Sequence, residues 1–119
     1  MSRTEELHVV HDYICELFTN HPKLISYDCQ ISPLWEETIS FRFGDVQKPL
    51  KIVARISVKY SQYVIRLLAY SYVRNSSHRI YCFKTAELDI YNADNDKIVS
   101  NFIDESVRIH ELSHRDRKA

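Results

Sequence analysis

Polar and hydrophobic residues alternate along the middle of the chain, from Lys51 to Lys84. The run KIVARISVK alternates an apolar set with a more polar set, and the run QYVIRLLAYSY repeats this pattern. Because successive side chains of a β-strand point to opposite faces of a sheet, each run predicts a strand with one apolar face. A third run, RIYCFK, follows the turn-like residues 74–78 and is rich in β-branched and aromatic residues. The segment therefore predicts three antiparallel strands.

The residues before this segment predict two more strands. Apolar residues occupy every second position in residues 24–31 and again in residues 38–43. Pro33 ends the first of these runs, and Gly44 follows the second at a turn. Residues 87–91 are compatible with a short edge strand, so the sheet is expected to have between four and six strands.

The two ends of the chain carry apolar residues at helical spacing. Residues 3–20 predict a helix that Pro22 ends, because proline cannot continue the hydrogen-bond ladder. Residues 96–112 predict a second helix, and the alternative is a hairpin that pairs 87–92 with 97–102 before a shorter helix. The residues that we expect to be buried are Leu7, Val10, Ile14, Leu17 and Phe18 in the first helix and Ile98, Val99, Phe102, Ile103, Val107 and Ile109 in the second.

These elements predict one α+β domain over residues 1–119, with an N-terminal helix, an antiparallel meander of four to six strands and a C-terminal helix. The apolar stripes predict a two-layer arrangement, in which both helices pack on one face of the sheet. A chain of 119 residues can build a core without support from metal or disulfides. The charged tail 115–119 is expected to fray.

Composition indicates a soluble, cytoplasmic protein. The N-terminus has no apolar signal segment, and no run approaches the ~20 apolar residues of a membrane span. The single glycine, Gly44, excludes the dinucleotide-binding and phosphate-binding loops that need several glycines. The three cysteines have no paired spacing, which is typical of buried thiols in a reducing compartment. They are Cys15, Cys29 and Cys82.

A formal net charge of zero hides an uneven distribution. Nine basic residues and one acidic residue lie between Arg42 and Lys84, which gives this segment a net charge of +8. The flanking segments are acidic, with −5 over residues 1–41 and −3 over residues 85–119. Two interpretations are open at this point: the basic sheet binds an anionic partner, or the acidic flanking helices neutralise it within the fold.

The first interpretation predicts a non-catalytic binding module, such as a regulator, an inhibitor or an immunity-type protein. Its basic, tyrosine-rich sheet face is expected to bind an acidic protein surface or a second copy of the chain. Leu68 and Phe83 are also expected on this face, where their apolar side chains favour a partner over water. The residues that we assign to the binding face are Arg55, Lys59, Arg66, Tyr70, Tyr72, Arg79 and Tyr81.

Binding of nucleic acid or of an anionic nucleotide by the same face is one alternative. Arginine side chains contact phosphates, and tyrosine rings stack on bases. The chain contains no RNA-binding consensus, and its net charge of zero does not favour this class of protein.

The segment HELSH, near the end of the chain, has the H-E-x-x-H pattern. On a helix, two histidines four residues apart face the same way and can hold zinc, while the glutamate acts on the bound water. The segment resembles the core motif of the zincin metallopeptidases, and this resemblance implies His110 and His114 as zinc ligands and Glu111 as general base. We expect histidines at the boundary of an amphipathic helix, without cofactor or enzymatic activity, and keep a small zinc hydrolase as the alternative. A second metal candidate is the strip His8, His11 and Cys15.

Overall fold

The computed structural model describes residues 3–31, 37–44, 49–59, 62–72, 80–90 and 92–114. The elements, in chain order, are α1 (Arg3–Thr19), β1 (Leu24–Ile31), β2 (Glu37–Phe43), β3 (Leu50–Lys59), β4 (Gln62–Tyr72), β5 (Ile80–Asp89) and α2 (Asn95–His114). The five strands form one antiparallel sheet in the order β1-β2-β3-β4-β5. The predicted α+β fold, with a meander between two helices, is therefore confirmed.

Alternation along each strand decides which side of the sheet meets the helices. Every second residue of β3 from Leu50 to Ile56 is fully buried, and the fully buried hydrophobic residues of β2 and β4 are paired with them in register. We call this side of the sheet the core face, and both helices pack against it. Removal of these side chains from water is the main source of stability for such a layer pair. The sheet contributes Ile39, Phe41, Phe43, Leu50, Ile52, Ala54, Ile56, Ile65, Leu67, Ala69 and Leu88 to the core.

Helix α1 buries three of the five residues that the sequence predicts to be buried; Leu17 is partly buried, and the side chain of Leu7 lies outside the described ones. Val10, Ile14 and Phe18 are almost inaccessible to solvent, and the Phe18 ring stacks on that of Phe41 in β2 with 4.2 Å between the centroids. After the last turn, the amide of His21 donates to the carbonyl oxygen of Phe18 at 3.2 Å. The next residue is proline, so the helix cannot continue and the chain turns into β1.

Helix α2 begins after a tight turn from β5. The amide of Asp94 donates to Asn92 Oδ1 at 2.9 Å, which is a side-chain hydrogen bond typical of turns. Asn95 Nδ2 then donates to the carbonyl oxygen of Asp89 at 2.8 Å and to the Tyr13 hydroxyl at 3.0 Å, so the turn is tied to α1. The expected long helix is confirmed over the hairpin alternative, and the residues of the expected short edge strand complete β5.

A register shift between β4 and β5 changes which residues of β5 meet the helices. Ala69 is paired with Lys84, whereas the next residue, Tyr70, is paired with Cys82. Phe83 is therefore the extra residue of a β-bulge, which interrupts the strict alternation expected for this strand. Phe83 packs against the core and not on the opposite side of the sheet, where alternation alone had placed it.

Gly44 ends β2 in a conformation that suits glycine. Its φ is +85°, in the left-handed region that side chains with a Cβ rarely adopt. Its amide donates to the carbonyl oxygen of Lys23 at 3.0 Å, so the end of β2 is held against the residue that precedes β1. The one glycine of the chain is thus used where the backbone requires it.

The replacement Phe18→Ala should lower the free energy of unfolding by about 3–5 kcal/mol, because the stack on Phe41 is lost and a cavity remains. Urea unfolding followed by circular dichroism measures the change. Val9→Ala on the same helix is the matched control, since Val9 is 57% exposed and its truncation should cost less than about 0.5 kcal/mol. Equal losses in the two variants would contradict the docking of α1 on β2.

Candidate interaction surface on the open face of the sheet

The side of the sheet that faces away from both helices is called the open face. It is formed by the residues that alternate with the core positions of each strand. Both described helices pack on the other side, so neither covers it. The described side chains that β2, β3 and β4 place there are Thr38, Ser40, Arg42, Lys51, Val53, Arg55, Ser57, Gln62, Val64, Arg66, Leu68 and Tyr70.

Four cations of the open face occur as two cross-strand pairs. Arg55 of β3 is directly opposite Arg66 of β4, and Arg42 of β2 is directly opposite Lys51 of β3. The three arginines are exposed, and Lys51 is partly buried. Like charges that face each other across two strands destabilise a sheet. An anion bound between the members of either pair would reduce the repulsion between them.

An apolar floor lies between the two cation pairs. Val53 and Leu68 are opposite each other in the register, and Val53 stands midway between Lys51 and Arg55 on β3. Each is only 8% exposed, although neither belongs to the core between sheet and helices. Both side chains are therefore largely closed to solvent, although they lie on the side away from the helices. Leu68 is thus on the expected face, but it presents little apolar area to water.

Acidic residues flank the cations at both edges of the open face. Glu87 of β5 is opposite Arg66, and Asp89 lies two residues further along the same strand. On the other edge, Asp28 of β1 is opposite Ser40. All three carboxylates are exposed. The open face is therefore basic along its centre and acidic along its margins, and Glu87 reduces the repulsion on Arg66.

The structure brings together part of the predicted binding face. The predicted residues that share the open face are Arg55, Arg66 and Tyr70. Those for which the structure describes only the backbone are Lys59 and Tyr72. Arg79 lies outside the described residues.

Tyr81 does not join the open face. It is directly opposite Ser71, whose hydroxyl oxygen lies 2.6 Å from Nδ1 of His110 on α2, and it is therefore on the helix side. The bulge at Phe83 is the cause, because one extra residue in a strand exchanges the faces of the residues beyond it. The open face consequently carries fewer tyrosines than strict alternation predicts.

Arg42 and Lys51 belong to the surface but were not assigned to it from the sequence. Both were counted in the charge of the central segment. Each stands between two buried residues of its own strand, so alternation puts each on the side away from the core. The signal was therefore present in the hydrophobic pattern, while the pairing of Arg42 with Lys51 needed the register between two strands.

Carboxylates of α2 contact cations on the helix side of the sheet. Lys84 Nζ lies 3.2 Å from Glu105 Oε2, and Lys23 Nζ lies 3.2 Å from Glu111 Oε1. Lys84 is paired with the core-face residue Ala69, so its ion pair with α2 forms on that side. Helix α2 therefore neutralises one cation of the basic segment, Lys84, and the sheet itself separates α2 from the cations of the open face.

The HELSH segment divides its described side chains between the interior and the surface. His110 is buried, at 5% exposure, and its Nδ1 lies 2.6 Å from Ser71 Oγ. Glu111 is exposed and contacts Lys23. Only the backbone of His114 is described, and no group of three metal-ligating side chains occurs among the described residues. The geometry thus gives His110 and Glu111 separate protein partners.

The other metal candidate, on α1, brings His11 and Cys15 together. Cys15 Sγ lies 3.7 Å from His11 Nε2 and 4.0 Å from His11 Nδ1. The nearly equal distances place the sulfur beside the ring and not in line with one nitrogen, so the geometry is not that of a proton-sharing pair. His11 Nδ1 also lies 3.3 Å from Asp12 Oδ1, and His8 is exposed.

A cleft of about 230 Å³ lies between the end of α1 and the first turns of α2. Both ring nitrogens of His21, in its wall, are engaged: Nδ1 accepts from the Lys23 amide at 3.2 Å, and Nε2 lies 2.8 Å from Asp104 Oδ1. The cleft is smaller than most ligand pockets. It is therefore a weaker candidate than the open face. Its lining consists of Leu17, Asn20, His21, Pro22, Asp96, Ser100 and Ile103.

No protein-family model, no curated protein and no solved structure matches this chain. The functional argument therefore rests on the chemistry of the surface, since a fold alone does not decide function. In the part of the chain that the structure describes, neither helix is long and apolar enough to cross a membrane.

The replacement Ser71→Ala should lower the free energy of unfolding by about 1–3 kcal/mol, because it removes the hydroxyl from a buried contact with His110. Equilibrium urea unfolding measures this change. Ser100→Ala on α2 is the matched control, since Ser100 is exposed and its loss should cost less than about 0.5 kcal/mol. If the two variants unfold alike, the buried contact does not stabilise the fold.

Proposed function

We propose that this protein is a non-catalytic binding module that holds an acidic surface of another protein on its open face. Regulators, inhibitors and immunity-type proteins work through surfaces of this kind. The observation that supports the proposal most directly is the pairing of like charges, Arg55 with Arg66 and Arg42 with Lys51. A carboxylate between two cations reduces their repulsion and gains charge-assisted hydrogen bonds.

The composition of the open face suits a protein partner that binds reversibly. Arginine and tyrosine are enriched at protein interfaces, and Tyr70 lies next to the Arg42–Lys51 pair, opposite Lys51 in the register. Because Val53 and Leu68 are already shielded, most of the contact area is polar. Obligate interfaces are more hydrophobic than this, so a transient complex fits better. Charge complementarity of this kind mainly raises the association rate.

Two features favour an acidic protein over nucleic acid. The carboxylates at the margins of the open face, on β1 and β5, would repel the phosphates of a nucleic acid that runs across the sheet. Among the described side chains of the open face, Tyr70 is the single aromatic ring, whereas binding of single strands uses a series of stacked rings. A compact acidic patch meets only the basic centre and avoids both margins.

The double variant R55E/R66E should weaken the binding of a fluorescein-labelled oligoglutamate peptide, measured by fluorescence anisotropy at low salt. Charge reversal removes two attractions and adds two repulsions. Each of these four contributions is about 0.5 kcal/mol at an exposed site, so together they should weaken the affinity for the peptide roughly thirtyfold. The unaltered chain should bind an oligothymidylate of equal charge more weakly than the peptide.

The matched control is K97E/R108E, which makes the same change of charge at two exposed positions of α2, on the helix side of the sheet. It should bind the peptide within about twofold of the unaltered chain. Equal losses in both double variants, or tighter binding of the oligothymidylate, would contradict the proposal. A homodimer that dissociates in R55E/R66E, detected by light scattering, would assign the open face to a second copy of the chain instead.

A further inference from the structure

We infer that the open face is arranged for an extended acidic segment, with two carboxylates four residues apart and an uncharged residue midway between them. This inference rests on the proposed function and specifies the form of the partner. Its basis is the placement of the two cation pairs, which share strand β3 through Arg55 and Lys51. The segment lies along β3 with its two acidic side chains directed at the sheet.

The spacing of the cation pairs sets the spacing of the carboxylates. Lys51 and Arg55 are four residues apart on β3, and an extended strand rises about 3.3 Å per residue, so the pairs are roughly 13 Å apart. An extended segment places residues i, i+2 and i+4 on one side over the same distance. In a helix, residues four apart are separated by only about 6 Å along the axis, so they reach only one pair.

The sideways offset of the two pairs also fits an extended segment. Lys51 has its partner on β2, whereas Arg55 has its partner on β4. The line between the pair centres therefore shifts by one strand spacing, about 4.8 Å, over roughly 13 Å, and crosses β3 at about 20°. Strands in stacked layers cross at up to about 30°, because sheets twist. A segment stacked on the open face can thus follow this line without distortion.

The apolar floor between the two cation pairs determines which type of side chain is favoured at the middle position of the segment. Val53 and Leu68 stand midway between the two cation pairs and are nearly closed to solvent. A charged side chain above them would lose water without gaining a partner. An apolar or small uncharged residue loses less, and it can contact the methylene stems of the flanking arginine side chains.

The acidic margins keep the segment centred on β3. Glu87 and Asp89 line the β5 edge, and Asp28 lies at the β1 edge. An acidic segment displaced toward either edge would approach the carboxylates there. Repulsion between the like charges makes these positions unfavourable. The central line between the margins is therefore preferred, and it is the line on which both cation pairs lie.

The test uses two labelled peptides of identical composition with blocked ends. The first has the order glutamate, threonine, leucine, threonine, glutamate, so its carboxylates are four residues apart. The second has the order glutamate, threonine, glutamate, threonine, leucine, so its carboxylates are two residues apart. Anisotropy titrations at low salt should show that the unaltered chain binds the first peptide about fivefold more tightly, because the second reaches one cation pair at a time.

The two open-face double variants test whether both cation pairs are needed for the preference. R55E/R66E and R42E/K51E each remove one cation pair, so each should abolish the preference for the first peptide. K97E/R108E should retain the preference, since both of its positions are exposed on α2. Circular dichroism checks that each variant keeps its fold.

The possible results separate this inference from the proposed function. Equal binding of both peptides, lost in R55E/R66E, would overturn the spacing inference and leave the acidic-surface function standing. Peptide binding that responds to neither open-face double variant would overturn both. The comparison of the two peptides on the unaltered chain decides the spacing even if a variant fails to fold.

Discussion

The two-residue period of the antiparallel sheet is the constraint on which the rest of the structure depends. Because neighbouring strands pair residue by residue, one register assigns each side chain of β2, β3 and β4 to the helices or to the open face. A shift by one residue would exchange the faces and expose the core to water. The apolar stripes of α1 and α2 therefore hold the core together and, by fixing which side is buried, also fix the array of cations on the other side.

The sheet separates two kinds of positive charge. Cations on the helix side lie within reach of α2, and Lys84 and Lys23 contact its carboxylates at 3.2 Å. Cations on the open face are separated from α2 by the sheet and lie opposite one another across the strands, as Arg55 lies opposite Arg66. Internal neutralisation and partner binding, which the charge count leaves as rivals, thus concern different sides of one sheet. The first applies to the helix side, and the second is our proposal for the open face.

Helix geometry explains why a catalytic sequence pattern is a weak guide to a site in this fold. Adjacent residues on a helix point about 100° apart, so His110 and Glu111 meet different surroundings. His110 lies on the buried stripe and contacts Ser71 of β4, while Glu111 is exposed and contacts Lys23, the residue before β1. The buried histidine therefore helps to hold α2 on the sheet. A sequence pattern specifies chemistry only where the fold directs its side chains to one place.

The sequence by itself determined the elements, the meander and most of the core, because periods of two and of 3.6 residues are local signals. It also put Arg66 and Tyr70 on one side of β4 and Arg55 on the more polar side of β3, since alternation within a strand needs no partner. The tertiary structure alone decided the bulge that moves Tyr81 to the helix side, and the pairing of Arg42 with Lys51. These features depend on the register between strands that are separated in the chain. Register is selected by packing of the whole core, and no single run of residues encodes it.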